Sequence, residues 1–168
     1  RELQEEGLIR HLGMTNTDAA HLGMLLSSGI EIVSNQVSFS LLDQRAAGPL
    51  STLCLERGIK LLAYGTLAGG LLTDRYLGHS EPDIDGAGTW SEMKYKRFLD
   101  VAGGWDALQA LLSKLDDVAR RHQVSIANVA SRYILDQPAV GGVIVGARLG
   151  ESEHIEDNLR LFGLTLDE

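Results

Sequence analysis

The sequence predicts a parallel α/β fold of four strands with helices outside them. Four times a short apolar segment ends in a polar or glycine tip and runs on into a helical pattern. The tips are Gly13-Met14-Thr15-Asn16, Ser34-Asn35-Gln36, Ala63-Tyr64-Gly65-Thr66 and Val145-Gly146-Ala147-Arg148. A repeating strand–helix unit builds a parallel sheet covered by helices. Ligands of such folds lie at the carboxyl ends of the strands, where these tips are. The first three strands recur about every 25 residues, a spacing of compact βα units. The third observation is the start: Arg1–Gly7 reads as the last turns of a helix, so the chain is expected to be half of a larger fold.

Gly7 is expected to close that opening stub, as glycine does at helix C-termini. Leu8–Met14 reads as the first strand. Thr17 is expected to cap the next helix, with Asp18 in its first turn where a carboxylate suits the dipole. Leu22, Leu25 and Leu26 form an apolar i, i+3, i+4 stripe, and Gly29 ends it. Ile30–Val37 reads as the second strand. Pro49 suits a first helical position, Leu50, Leu53 and Cys54 supply a buried face, and Gly58 stops the helix. Ile59–Tyr64 reads as the third strand. The rhythm then breaks. Residues 73–104 hold many Gly, Asp and Ser residues and read as a long loop, functional or mobile. Asp106–His122 and Ile126–Asp136 form a helical insertion before the last strand, the first apolar at Leu108, Leu111, Leu112, Leu115 and Val118, the second capped by Ser125. Gly142–Val145 reads as the fourth strand and Ser152–Leu161 as the last helix. Residues 1–168 thus form a single segment. The strand count fits half of a (β/α)8 barrel and equally a small open doubly wound sheet.

Composition excludes several classes. The chain has 168 residues, 44% hydrophobic and 23% charged, ordinary for a globular protein. A net charge of −8 argues against nucleic acid, which needs clustered Lys and Arg. No apolar run approaches the ~18 residues of a membrane span. Cys54 is the only cysteine, so no internal disulfide forms and a cytoplasmic location is expected. It reads as a small buried residue rather than a nucleophile. No metal-ligand spacing such as H-E-x-x-H or C-x-x-C occurs.

The tips carry a resemblance. Gly7-Leu8-Ile9-Arg10-His11-Leu12-Gly13-Met14-Thr15-Asn16 resembles the fifth strand of aldo-keto reductases, G-x-I-R-x-I-G-V-S-N. Ser34-Asn35-Gln36-Val37-Ser38-Phe39-Ser40-Leu41-Leu42 resembles their sixth, N-Q-x-x-Y-S-L-L. Ala63-Tyr64-Gly65-Thr66-Leu67-Ala68-Gly69-Gly70-Leu71-Leu72-Thr73 is similar to A-Y-S-P-L-A-x-G-x-L-T after strand seven. Val143-Ile144-Val145-Gly146-Ala147-Arg148, followed by Ile155-Glu156-Asp157-Asn158-Leu159, resembles the strand-eight ending I-P-G-A-R and the helix motif V-x-E-N-L. The four motifs are in order and span nearly the whole chain. They cover only the C-terminal half of the family's (β/α)8 TIM barrel.

The resemblance implies an oxidoreductase that reduces aldehydes or ketones, with NADP as cofactor rather than NAD. It implies that Thr15 and Asn16 hold the nicotinamide carboxamide, that Gln36 adds a bond to the amide, and that Tyr64 stacks on the ring. It implies that Gly65, Thr66, Leu67, Gly69 and Gly70 belong to the loop around the pyrophosphate, with Gly146 at the last strand's tip. Arg148 and Ser152 fall near the 2′-phosphate contacts, and His154, Asp157 and Asn158 near the adenine. Chemistry agrees. A carboxamide needs a donor and an acceptor, which Asn and Gln supply. A flat ring needs a flat neighbour, and glycines let backbone N–H groups approach an anion. Departures exist: Thr15 replaces Ser, Gly65-Thr66 replaces Ser-Pro, Asp74-Arg75 stands where Gly-Lys is common, and the stretch 146–158 is about two residues longer than usual.

The family's catalytic Tyr, Lys, His and Asp come from early strands that this chain does not hold, so no catalytic residue is assigned. Lys60 shares a strand face with Tyr64 but sits about 13 Å away along the strand. Tyr76, Tyr95 and Tyr133 show no paired Lys and His in the sequence. The isolated chain is therefore expected to be inactive, its partners being a small carbonyl substrate and either the missing N-terminal half or a second copy. The alternatives are a non-enzymatic nucleotide-sensing or scaffold module and an open flavodoxin-like domain.

Overall fold

The computed structural model describes residues 2–88, 90–147, 150 and 153–167. Four parallel strands form one sheet: β1 (Gly13–Thr15), β2 (Ser34–Ser38), β3 (Lys60–Tyr64) and β4 (Val140–Ile144), in the order β1-β2-β3-β4. Register aligns Thr15 with Gln36, Gln36 with Leu62, and Ser38 with Tyr64, then Tyr64 with Ile144. Strand order never reverses, unlike a doubly wound sheet, which binds where the order turns back.

Side chains alternate across the sheet. Val37, Leu61 and Ala63 are buried against helices α2 (Ala19–Ser27), α3 (Pro49–Arg57) and α7 (Ile126–Leu135) through Leu22, Leu50, Cys54 and Ile134. The opposite face carries Thr15, Gln36 and Lys60, all exposed, with Tyr64 half-buried. A second cluster joins Leu71, Leu72, Tyr95, Leu99, Leu108 and Leu112 to Ile126 and Ala130. Burial pushes the Cys54 thiol upward, as befits a packed thiol rather than a nucleophile.

Local signals explain most boundaries. The opening helix α1 (Glu2–Glu5) ends at Gly7, left-handed at φ 73°. Pro49 opens α3 and left-handed Gly58 closes it, donating to the Cys54 and Leu55 carbonyls. Ser125 caps α7 by accepting from Asn128 N–H.

Several expectations change; among them the second strand starts at Ser34 rather than Ile30, and the fourth runs Val140–Ile144 rather than Gly142–Val145. Thr17 is not the cap of α2: the Asp18 carboxylate accepts from His21 N–H at 2.9 Å. A carboxylate is the stronger acceptor there, because it also answers the helix dipole. The first strand shrinks from Leu8–Met14 to Gly13–Thr15, since Leu8 is 68% exposed and the Arg10 carbonyl is taken by the Gln4 side chain. The last helix shrinks to α8 (Ile155–Leu159), followed by a 3-10 turn over Arg160–Phe162.

The largest change concerns residues 73–104. They hold a 3-10 turn (Asp74–Tyr76), α4 (Ile84–Ala87) and the 12-residue α5 (Trp90–Val101), with α6 (Gly104–His122) beginning at once. The buried stripe of α5 is Glu92, Tyr95 and Leu99. A charged residue at a core position hides that stripe from hydrophobic periodicity. Glu92 is accommodated because Tyr76 Oη donates to its carboxylate and Arg75 lies 3.5 Å away. Burial, then the Glu92 charge, push the Tyr76 phenol up to about 12.

Phe39 is fully buried among the residues joining the sheet to α2 and α3. Phe39→Ala is expected to lower stability by about 3–5 kcal/mol in urea unfolding.

Candidate functional site

The site is built at the carboxyl ends of the strands. Asn35 is fully buried on β2, and its side-chain amide clamps the segment after β1: Nδ2 donates to the Thr17 carbonyl at 2.7 Å, and Oδ1 accepts from Thr17 N–H at 3.4 Å. Asn16 N–H and the Thr15 hydroxyl both donate to the Gln36 carbonyl, at 2.8 and 3.2 Å. Pinned on both sides, Asn16 adopts a left-handed conformation with φ 50°, tolerated better by Asn than by most residues. Its Oδ1 then accepts from Tyr64 Oη at 2.9 Å, spanning from β1 to β3 over β2.

Thr15, Asn16, Gln36 and Tyr64 are thus brought together. Among the described residues, neither Asn16 Nδ2 nor the Gln36 side-chain amide has a hydrogen-bond partner. Beside them a cleft of about 650 Å³ is lined by Asn16, Asp18, Ser38, Arg45, Pro49 and Tyr64 among others. Buried Asp43 holds Arg45 there through two bonds of 2.7 Å. Burial alone would raise the Asp43 pKa, but the Arg45 guanidinium outweighs it and holds the carboxyl below its ordinary 3.8.

Gly65, Ala68, Gly69 and Gly70 all have positive φ. A side chain at Gly65 would fall on the Tyr95 hydroxyl, and one at Gly69 would come within 2.8 Å of the Tyr95 ring. The glycines here admit an aromatic residue of α5, and only Gly70 faces open space. Thr66 is buried, its hydroxyl 3.4 Å from Ser131 of α7, while Leu67 packs against the helical core. Asp74 caps α7 by accepting from Ile126 N–H at 3.2 Å.

His154, Asp157 and Asn158 fall on or next to α8. Asp157 accepts from the Ser125 hydroxyl at 2.8 Å, so its carboxylate is engaged with the α7 cap. Asn158 is half-buried on α8, His154 precedes it in a left-handed conformation, and Gly146 is exposed. Arg148 and Ser152 lie outside the described residues.

Three residues were not assigned from the sequence. Asn35 stood inside a noted tip without a role. Lys94 and Tyr95 lay in the supposed loop, yet Lys94 Nζ sits 4.9 Å from the ring centroids of both Tyr64 and Tyr95. Tyr95 therefore does have a lysine beside it, over its ring face. Among the described residues no group of three or more His, Cys, Asp or Glu could hold a metal, and no helix is long and apolar enough to cross a membrane.

The model of the Aldo/keto reductase family matches residues 1–168. The chain belongs to this family. Flagellar radial spoke protein 5 of Chlamydomonas reinhardtii is 36% identical over 136 residues, 80% of this chain and 26% of that protein. The NADH-specific methylglyoxal reductase of Escherichia coli is 28% identical, over 99% of this chain and 48% of its own length. The glycerol dehydrogenase structure from Gluconobacter oxydans superposes with a TM-score of 0.76 at 21% identity, covering 99% of this chain and 48% of that one. The fold of about half of that structure is therefore shared. The chain spans about half the length, or less, of the curated relatives it matches.

Gly65→Ala combines a left-handed backbone with a clash, so it is expected to cost about 1–3 kcal/mol. Removing the ring in the Gly65→Ala, Tyr95→Ala double variant relieves the clash. Urea unfolding of all four forms reads this as coupling, the double costing less than the sum of the singles. A second expectation concerns pH. Because the folded pKa of Asp43 is lowered, its contribution is present above the ordinary carboxylate range and fades as pH falls through the folded value. Asp43→Asn should weaken the chain at neutral pH and flatten the acid limb of its stability curve.

Proposed function

We propose that the chain is the cofactor-binding, C-terminal half of an NADP-dependent aldo-keto reductase barrel that reduces aldehydes or ketones. The observation that carries it is the convergence of Asn16, Gln36 and Tyr64 at adjacent strand ends, with Asn16 Nδ2 and the Gln36 side-chain amide left without partners among the described residues. Unreversed strand order and one exposed sheet face support the half-barrel.

A bound reduced nicotinamide would supply the hydride. Asn16 Nδ2 donates to a carboxamide oxygen, and Gln36 offers both a donor and an acceptor. Tyr64, fixed through its hydroxyl by Asn16, presents a ring of set orientation. Holding the ring in one pose is how this half contributes to rate. Reduction of a carbonyl to an alcohol also consumes a proton, and its donor belongs to the N-terminal half. That half, or a second copy across the exposed face, is the partner we propose, in a cytoplasmic setting. The NADP assignment rests on Arg148. The E. coli methylglyoxal reductase is NADH-specific by name, so both cofactors belong in the test.

Calorimetric titration of the 168-residue chain with NADPH and NADH is expected to show saturable binding, tighter for NADPH, and at least tenfold weaker in Asn16→Ala or Gln36→Ala. Absence of binding to either cofactor would sink the reading. The chain alone should not reduce a generic aldehyde, and turnover would overturn its assigned inactivity. A non-enzymatic nucleotide-binding module is the second reading, favoured by the 36% identity to a protein named for the flagellar radial spoke. It agrees on binding and differs in predicting no turnover from the full-length protein.

A further inference from the structure

Lys94 is the group that the proposed function leaves unused. It is exposed on α5, yet its ammonium is 4.9 Å from the ring centroids of both Tyr64 and Tyr95. Two charged neighbours on that helix are compensated: Lys96 pairs with Glu81 and Asp100, and Glu92 with Arg75. Among the described residues no carboxylate lies within ion-pair distance of Lys94. Arg45 also approaches Tyr64, but Asp43 neutralises it at 2.7 Å. One uncompensated positive charge therefore rests on the face of the tyrosine expected to carry the nicotinamide.

We propose that Lys94 sets the redox preference of the site, favouring the neutral reduced nicotinamide over the cationic oxidised one. This deepens the cofactor reading above and rests on it. With one face of Tyr64 held by the ammonium, a nicotinamide ring would stack on the opposite face. A ring stacked there sits on the order of 8–9 Å from the charge. The reduced ring is neutral and feels little. The oxidised ring carries a positive charge, and two like charges at that separation near a protein surface repel appreciably. The two forms share the same phosphates, so any pull of Lys94 on those cancels in the ratio of affinities. Release of the oxidised form after reduction is favoured by the same term.

The test measures dissociation constants of the 168-residue chain for reduced and oxidised cofactor separately, by titration rather than turnover. Lys94 is exposed, so its substitution leaves the core intact, and matching circular dichroism confirms it. The ratio of oxidised to reduced dissociation constants should fall about five- to tenfold in Lys94→Met, stay unchanged in Lys94→Arg, and fall further in Lys94→Glu. In the unsubstituted chain it should narrow as salt screens an exposed charge. Tight binding of both forms with equal ratios in Lys94→Met and the parent would overturn the inference while leaving the cofactor site standing. Failure of the parent to bind either form would remove both.

Discussion

The geometry at the strand ends depends on one buried amide. Asn35 is fully buried, and an unpaired buried amide is costly. It meets its needs by bonding both backbone groups of Thr17. That clamp fixes the chain leaving β1, turns Asn16 left-handed, and aims its carbonyl oxygen at the Tyr64 hydroxyl. The Tyr64 ring in turn supplies the surface on which Lys94 rests. Three strands and a distant helix are thereby tied to one buried side chain.

Helix α5 is the second organising element. It is anchored at its start by a buried acid and along its length by aromatic packing. Tyr95 fills the space over Gly65 and Gly69, and Phe98 receives the Arg45 guanidinium at 4.9 Å. Trp105 packs edge-on against Tyr76 and donates from Nε1 to the His79 carbonyl. The segment between the glycine loop and α6 is thus a packed cover over two strand tips.

What the sequence made legible follows from the range of each signal. Pro49, Gly58, Ser125 and Gly7 act within one turn of chain, and each stands where its local chemistry places it. That Asn16, Gln36 and Tyr64 meet at strand ends was legible because motif order survives in sequence. The role of Asn35 was not, because a buried amide looks the same in sequence whether it clamps a neighbouring strand or ends its own. The α5 helix was missed because buried Glu92 is held by partners that include Tyr76 and Arg75, 16 and 17 residues away. Likewise the glycines of the loop were legible as permissive backbone, but not the aromatic ring that they admit.

The two sides of the sheet end unequally. β1 pairs over three residues, whereas β4 runs for five, with Gly141 and Gly142 inside it and Ile144 44% exposed. A very short border strand offers little template for another chain, while a longer one offers a row of unspent amide and carbonyl groups. The β4 edge therefore offers a longer stretch of backbone for an added strand than the three-residue edge at β1.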